Sequence, residues 1–134
     1  RIDAEVGELT LSALSQLHPV YVHLRLESQW HALTVLLSRH EAALRAAYLL
    51  QEPSPSQTQR DVSAALSRVG WDHDFEHVTA EGLRLGMARP ASKVAVEFDG
   101  PTHYLTCSAE SVSARALDGA SKFKERLLRR LGWT

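Results

Sequence analysis

Residues 93–104 read KVAVEFDGPTHY, from Lys93 to Tyr104. Val94, Val96 and Phe98 alternate with Ala95 and Glu97, the two-residue period of a half-buried strand, and Gly100-Pro101 ends it. Leu83 to Ala88 forms a second apolar run, and Arg89-Pro90-Ala91-Ser92 between the two predicts a hairpin. The alternation sends Glu97 to the side opposite the apolar residues. Asp99, two positions on, shares that side with Glu97. Carboxylates at the end of an apolar strand are costly unless paired, solvated or bound to a metal. Two readings are open here. Glu97 and Asp99 can share a hard cation such as Mg²⁺ with His103 nearby, or Asp99 caps the Gly100-Pro101 turn while Glu97 pairs with Lys124 or Arg126.

Working outward, Glu52-Pro53-Ser54-Pro55-Ser56 is a breaker that divides the chain at 53/54. Ser56 is placed to cap a helix through Val62, Leu66 and Val69 that stops at Gly70. Trp71 to His77 is polar with two aromatics and predicts no element. Beyond a Ser-rich loop, a last helix is expected over Ser121 to Leu131, closed by Gly132. Phe123, Leu127, Leu128 and Leu131 make its core stripe, and Lys122, Arg126, Arg129 and Arg130 lie outside it. Residues 1–53 read as helical: Ile2, Val6, Leu9, Ala13 and Leu17 share one face. His18-Pro19 is expected to end that helix, because proline lacks the amide donor. Val20 to Leu26 alternates, and a helix entry is preferred to a strand there. Trp30, Leu33, Leu37, Leu44, Ala47 and Tyr48 then predict one or two amphipathic helices to Gln51. His18, His23, His31 and His40 lack a metal-ligand spacing, so surface or capping roles are expected.

The 134 residues carry 15 basic and 16 acidic side chains, a net charge of −1, which taken alone argues against a polycation that coats nucleic acid. The balance is uneven. From Arg115 onward the charge is +4, leaving −5 on the remainder, where Asp72, Asp74, Glu76 and Glu81 cluster. The single Cys107 excludes a disulfide framework or multi-cysteine zinc site within this chain. No apolar run approaches the roughly 20 residues of a membrane-spanning helix, so no membrane span is expected. The only methionine is the internal Met87, and residues 1–8 show no targeting core. The chain is therefore expected to be part of a longer protein whose targeting segment is already removed.

The Glu-x-Asp-Gly-Pro-x-His core of this stretch resembles the signature of the RAP domain, an RNA-binding domain abundant in apicomplexan parasites and present in plant, algal and vertebrate organelle proteins. The resemblance extends upstream through Ser54-Pro55-Ser56, Val62, Leu66 and Gly70. Downstream it takes in Gly119, Ser121, Phe123-Lys124, Arg126, Leu128 and Gly132-Trp133. It implies an α+β protein: a helical segment at 1–53 and a small α/β RAP domain at 54–134. That domain is similar to restriction-endonuclease-like folds, and its pattern continues into a last strand missing here. The family's nuclease relatives hold Mg²⁺ with strand carboxylates and a Glu-x-Lys pair. Gly86 stands where related sequences often carry aspartate, and Asp99 where the lysine would be.

The resemblance thus implies an RNA-binding protein with RNA, and mitochondrial ribosomal proteins, as partners. Mitochondrial location is expected ahead of plastid, with a role in RNA stabilisation or processing, or as a component or assembly factor of the ribosome. Lys122, Lys124, Arg126, Arg129 and Arg130 are the expected phosphate contacts, with His103 beside them and Tyr104 as a stacking platform. Trp71 and Trp133 can also stack on bases, although packing is the expectation for both. No catalytic or metal site is favoured and no cofactor is expected. The alternative is a Mg²⁺-dependent endonuclease using Glu97, Asp99 and His103, with Lys124 in place of the missing lysine. A further alternative is a non-catalytic protein scaffold.

Overall fold

A computed structural model of the chain describes residues 8–27, 31–51, 54–98 and 118–134. Its elements run α1 (Leu11–Glu27), α2 (His31–Ser38), α3 (Glu41–Leu49), α4 (Gln57–Arg68), β1 (Asp74–Val78), β2 (Arg84–Arg89), a 3₁₀ turn (Pro90–Ser92), β3 (Val94–Val96) and α5 (Gly119–Arg130). The class is α+β, and the strands lie in the order β1-β2-β3. No helix among the described residues is long and apolar enough to cross a membrane. The chain packs as two compact units, one of Arg1–Ser54 with Val78–Arg84 and one of Pro55–His77 with Leu85–Thr134.

The first unit is a helical cluster. Tyr21 and Leu24 of α1, Leu37 of α2 and Leu44 of α3 form its buried centre, with Leu14 and Leu17 packed against it. α1 does not stop at Pro19. It runs on through the proline, which cannot donate to the helical ladder. Tyr21, Val22 and Leu24, all buried beyond it, supply the tertiary contacts that outweigh the lost bond. The alternating Val20 to Leu26 stretch is thus helical. His18 also departs from expectation: it is 2% exposed, and its ring Nε2 lies 2.9 Å from the Glu81 carbonyl. Across this unit Arg45 donates to the Ala80 carbonyl, and Arg84 to those of Leu49 and Gln51.

In the second unit β2 and β3 pair antiparallel, with Met87 opposite Val96 and Arg89 opposite Val94. Leu85, Met87 and Ala88 of β2 are buried, as are Leu127 and Leu128 of α5 and Trp133 beyond it. The helix ends follow their sequence signals. Ser56 Oγ accepts the Gln59 amide at the start of α4, and Asp118 Oδ1 accepts the Ser121 amide at the start of α5. Past α5, the Gly132 amide donates to Arg129 and that of Trp133 to Leu128, the paired bonds of a Schellman motif. α4 closes in the same way at Gly70-Trp71. Lys93 takes a left-handed conformation, φ 52°, after the 3₁₀ turn, and its ammonium donates to Leu131 O at 2.7 Å. The charge thus sits at the negative end of the α5 dipole. Thr134 lies beside β3: its amide donates to Lys93 O, and its carbonyl accepts from Ala95.

Candidate nucleic-acid interface

α5 is polar on one side and apolar on the other, and the division decides which charges are available. Leu127 and Leu128 are buried, whereas Lys122, Arg126, Arg129 and Arg130 are exposed. Spacing of three and four residues brings these cations to neighbouring turns of the outer surface. Arg129 pairs with Glu125 one turn back, and the Arg126 guanidinium lies 5.5 Å from the centre of the Phe123 ring. Such exposed contacts are worth at most about 1 kcal/mol, so they orient the side chains without withholding them from a phosphate.

Lys124 is placed differently. Its Nζ lies 2.9 Å from Glu97 Oε1, and each side chain is about one-third exposed. The reading in which Glu97 pairs with a basic residue of the last helix is therefore the one observed. Glu97 belongs to a wider polar cluster. Gln59 of α4 donates to Glu76 of β1 at 2.6 Å. A Cβ added at Gly86 would stand 3.0 Å from Gln59 Nε2 and 3.7 Å from Glu97 Oε2. The Gln59 amide thus takes up the space into which a longer residue at 86 would project. Glu76 has φ 53° inside β1, a strained setting for a non-glycine residue of the kind that gathers at functional sites.

Glu76 accepts from Gln59, Glu97 is neutralised by Lys124, and among the described residues no three His, Cys, Asp or Glu side chains gather to hold a metal ion. Asp99, His103 and Tyr104 lie outside the described residues.

The aromatic residues divide. Trp133 is 6% exposed beside the His77 ring and is a core residue. Trp71 is half-buried. His73 stacks on it at 4.9 Å and 24°, and the Arg89 guanidinium lies 5.2 Å from its ring centre. Sequence reasoning gave Gln59, Glu76 and Arg89 no role in a site. The available signal was Gly86 itself, since an absent side chain in a buried strand invites a neighbour to fill the space.

Comparison with known proteins adds one finding. Residues 96–134 match the RAP domain family, a span holding Glu97, the Asp-Gly-Pro segment and all of α5. No curated protein and no solved structure matches the chain.

Proposed function

From the RAP domain match at residues 96–134, we propose that this chain is an RNA-binding protein that holds the phosphate backbone on the outer face of α5. The observation that carries the reading is the exposed row Lys122, Arg126, Arg129 and Arg130 inside the matched span. Binding of this kind releases counterions, so affinity falls as salt rises. For four phosphate contacts on a single strand, the expected slope of log K against log salt is about −3. Replacing Arg126, Arg129 and Arg130 by Glu should remove most of the affinity and flatten the slope. Titration of a labelled RNA at two or more salt concentrations measures both, and an unaltered slope overturns the assignment.

Glu97 separates binding from catalysis. It neutralises Lys124, so Glu97→Gln frees a cation and removes a carboxylate that repels phosphate. RNA affinity should rise severalfold by titration. The endonuclease alternative requires the opposite signature, Mg²⁺-dependent cleavage that disappears in the same variant. The wider role we propose is in a mitochondrion, with a plastid as second choice. There the chain would stabilise or process RNA, or act on or within the ribosome beside ribosomal proteins. The basic helix supports it by fitting a surface docked on structured RNA. Co-sedimentation of the native protein with organellar ribosomes tests it, and recovery with protein partners that resists ribonuclease would favour the scaffold alternative.

A further inference from the structure

We infer that Trp71 and Arg89 form a stacking subsite for one unpaired nucleobase of a bound RNA strand, an inference that rests on the RNA-binding reading above. Both residues precede the family match, and neither belongs to α5. The Arg89 guanidinium lies 5.2 Å from the centre of the Trp71 indole, and its Nε donates to Asp72 O at 3.1 Å. Among the described residues no hydrogen bond engages its two Nη groups, which remain as donors for a base edge. Indole and guanidinium are the two flat surfaces on which proteins most readily stack bases.

The support beneath Trp71 is built from another element. His73 stacks on the indole, its Nδ1 lies 2.8 Å from Trp71 O, and its Nε2 lies 2.7 Å from Ser63 Oγ of α4. Both ring nitrogens are engaged, so the imidazole is pinned from two sides. Trp71 and Arg89 are each half-buried, held in place yet still reached by solvent. Side chains already ordered in the free protein lose little further entropy when a ligand arrives.

The electrostatics identify the occupant. Arg89 meets the backbone carbonyl of Asp72, and the neighbouring side chains of Asp72 and Asp74 are exposed carboxylates, so this segment is not a basic patch that would track a phosphate backbone. What it offers is a guanidinium over an aromatic face, a surface suited to a π-system. The stacking contribution should therefore be nearly independent of salt, in contrast to that of α5.

The test uses the full chain, a labelled single-stranded oligonucleotide, and a strand of equal length and charge made of abasic ribose phosphate. Trp71→Ala and Arg89→Ala should each weaken binding of the base-bearing strand, by about tenfold for Trp71→Ala. Both should leave the abasic strand and the salt slope unchanged, and Trp71→Phe should retain most of the affinity. In the unaltered protein, base-bearing RNA should quench tryptophan emission, and Trp71→Phe should remove that quenching. Equal loss on both strands, or quenching that survives Trp71→Phe, overturns the subsite and leaves Trp71 a packing residue. Failure of both strands to bind at low salt overturns the RNA-binding reading, and the subsite with it.

Discussion

His18 is buried against the Glu81 carbonyl, and its setting gives stability a pH dependence. Burial is the main cause that lowers its pKa from the ordinary 6.5. The Glu81 hydrogen bond opposes this, Arg45 adds to the lowering, and Glu41 offsets it weakly. The unfolded chain therefore takes up the His18 proton at a higher pH than the folded one does. This contribution to stability is intact above about pH 6.5 and is lost as pH falls towards the lowered folded value. Urea midpoints measured across that window should fall on acidification, and His18→Gln, which retains a donor for Glu81 O, should flatten the fall. Gly82 faces the same ring. Its φ is 86°, and an added Cβ would lie 2.9 Å from His18 Nε2 and 3.2 Å from Arg45 Cγ. Gly70 has φ 81° but open space around it. Gly70→Ala should cost about 1–2 kcal/mol from backbone conformation alone. Gly82→Ala should cost more, the excess reporting the clash, and denaturant midpoints of the two variants give the comparison.

Elements were legible where a local pattern coincided with the packing. The β2–β3 hairpin and the stripe on α5 follow from alternation and from three-to-four spacing, and the Ser56, Gly70 and Gly132 signals mark real helix ends. β1 was hidden because Asp74 to His77 alternates without a clear apolar face and Glu76 breaks the regular backbone. α1 ran past Pro19 because burial of Tyr21, Val22 and Leu24 exceeds what a local rule counts. At α5, the Asp118 cap holds the Ser121 amide at 2.7 Å. Asp118→Ala should lower stability by about 0.5–2 kcal/mol, read by thermal or denaturant unfolding. An unchanged midpoint would mean that the start of α5 is held by something other than its cap.

Across the whole chain, the net charge of −1 was the least informative number, since it averages a basic helix with an acidic remainder. The candidate site was legible in part. Glu97, Lys124 and the cations of α5 were named from one motif and one helical pattern. Gln59 beside Gly86 and Arg89 beside Trp71 were not, because each contact joins residues that no spacing rule brings together. The first unit is discontinuous in sequence, for Val78–Arg84 packs with the helices through Arg45, His18 and Arg84. A fragment of residues 55–134 would leave the Ala80 and Glu81 carbonyls without those donors. Hydrogen exchange at the Thr79–Leu83 turn, whose Thr79 amide donates to Leu83 O at 2.8 Å, should be faster in the fragment than in the full chain. Equal protection would show that the turn is stable by itself.

The bonds of Thr134 bear on the time course of folding. The Thr134 amide on Lys93 O and the Ala95 amide on Thr134 O have the slanted pattern of parallel pairing, opposite in sense to the β2–β3 ladder. The ladder needs only the short 90–93 turn to close. The parallel bridge must wait until α5 has formed and the whole intervening chain has looped back, a step whose entropy cost precedes its reward. One three-residue strand therefore acquires its two neighbours at different times. In pulse-labelled refolding, protection of the Ala95 amide should lag behind formation of the hairpin, making that amide a timer for the last closure of the fold.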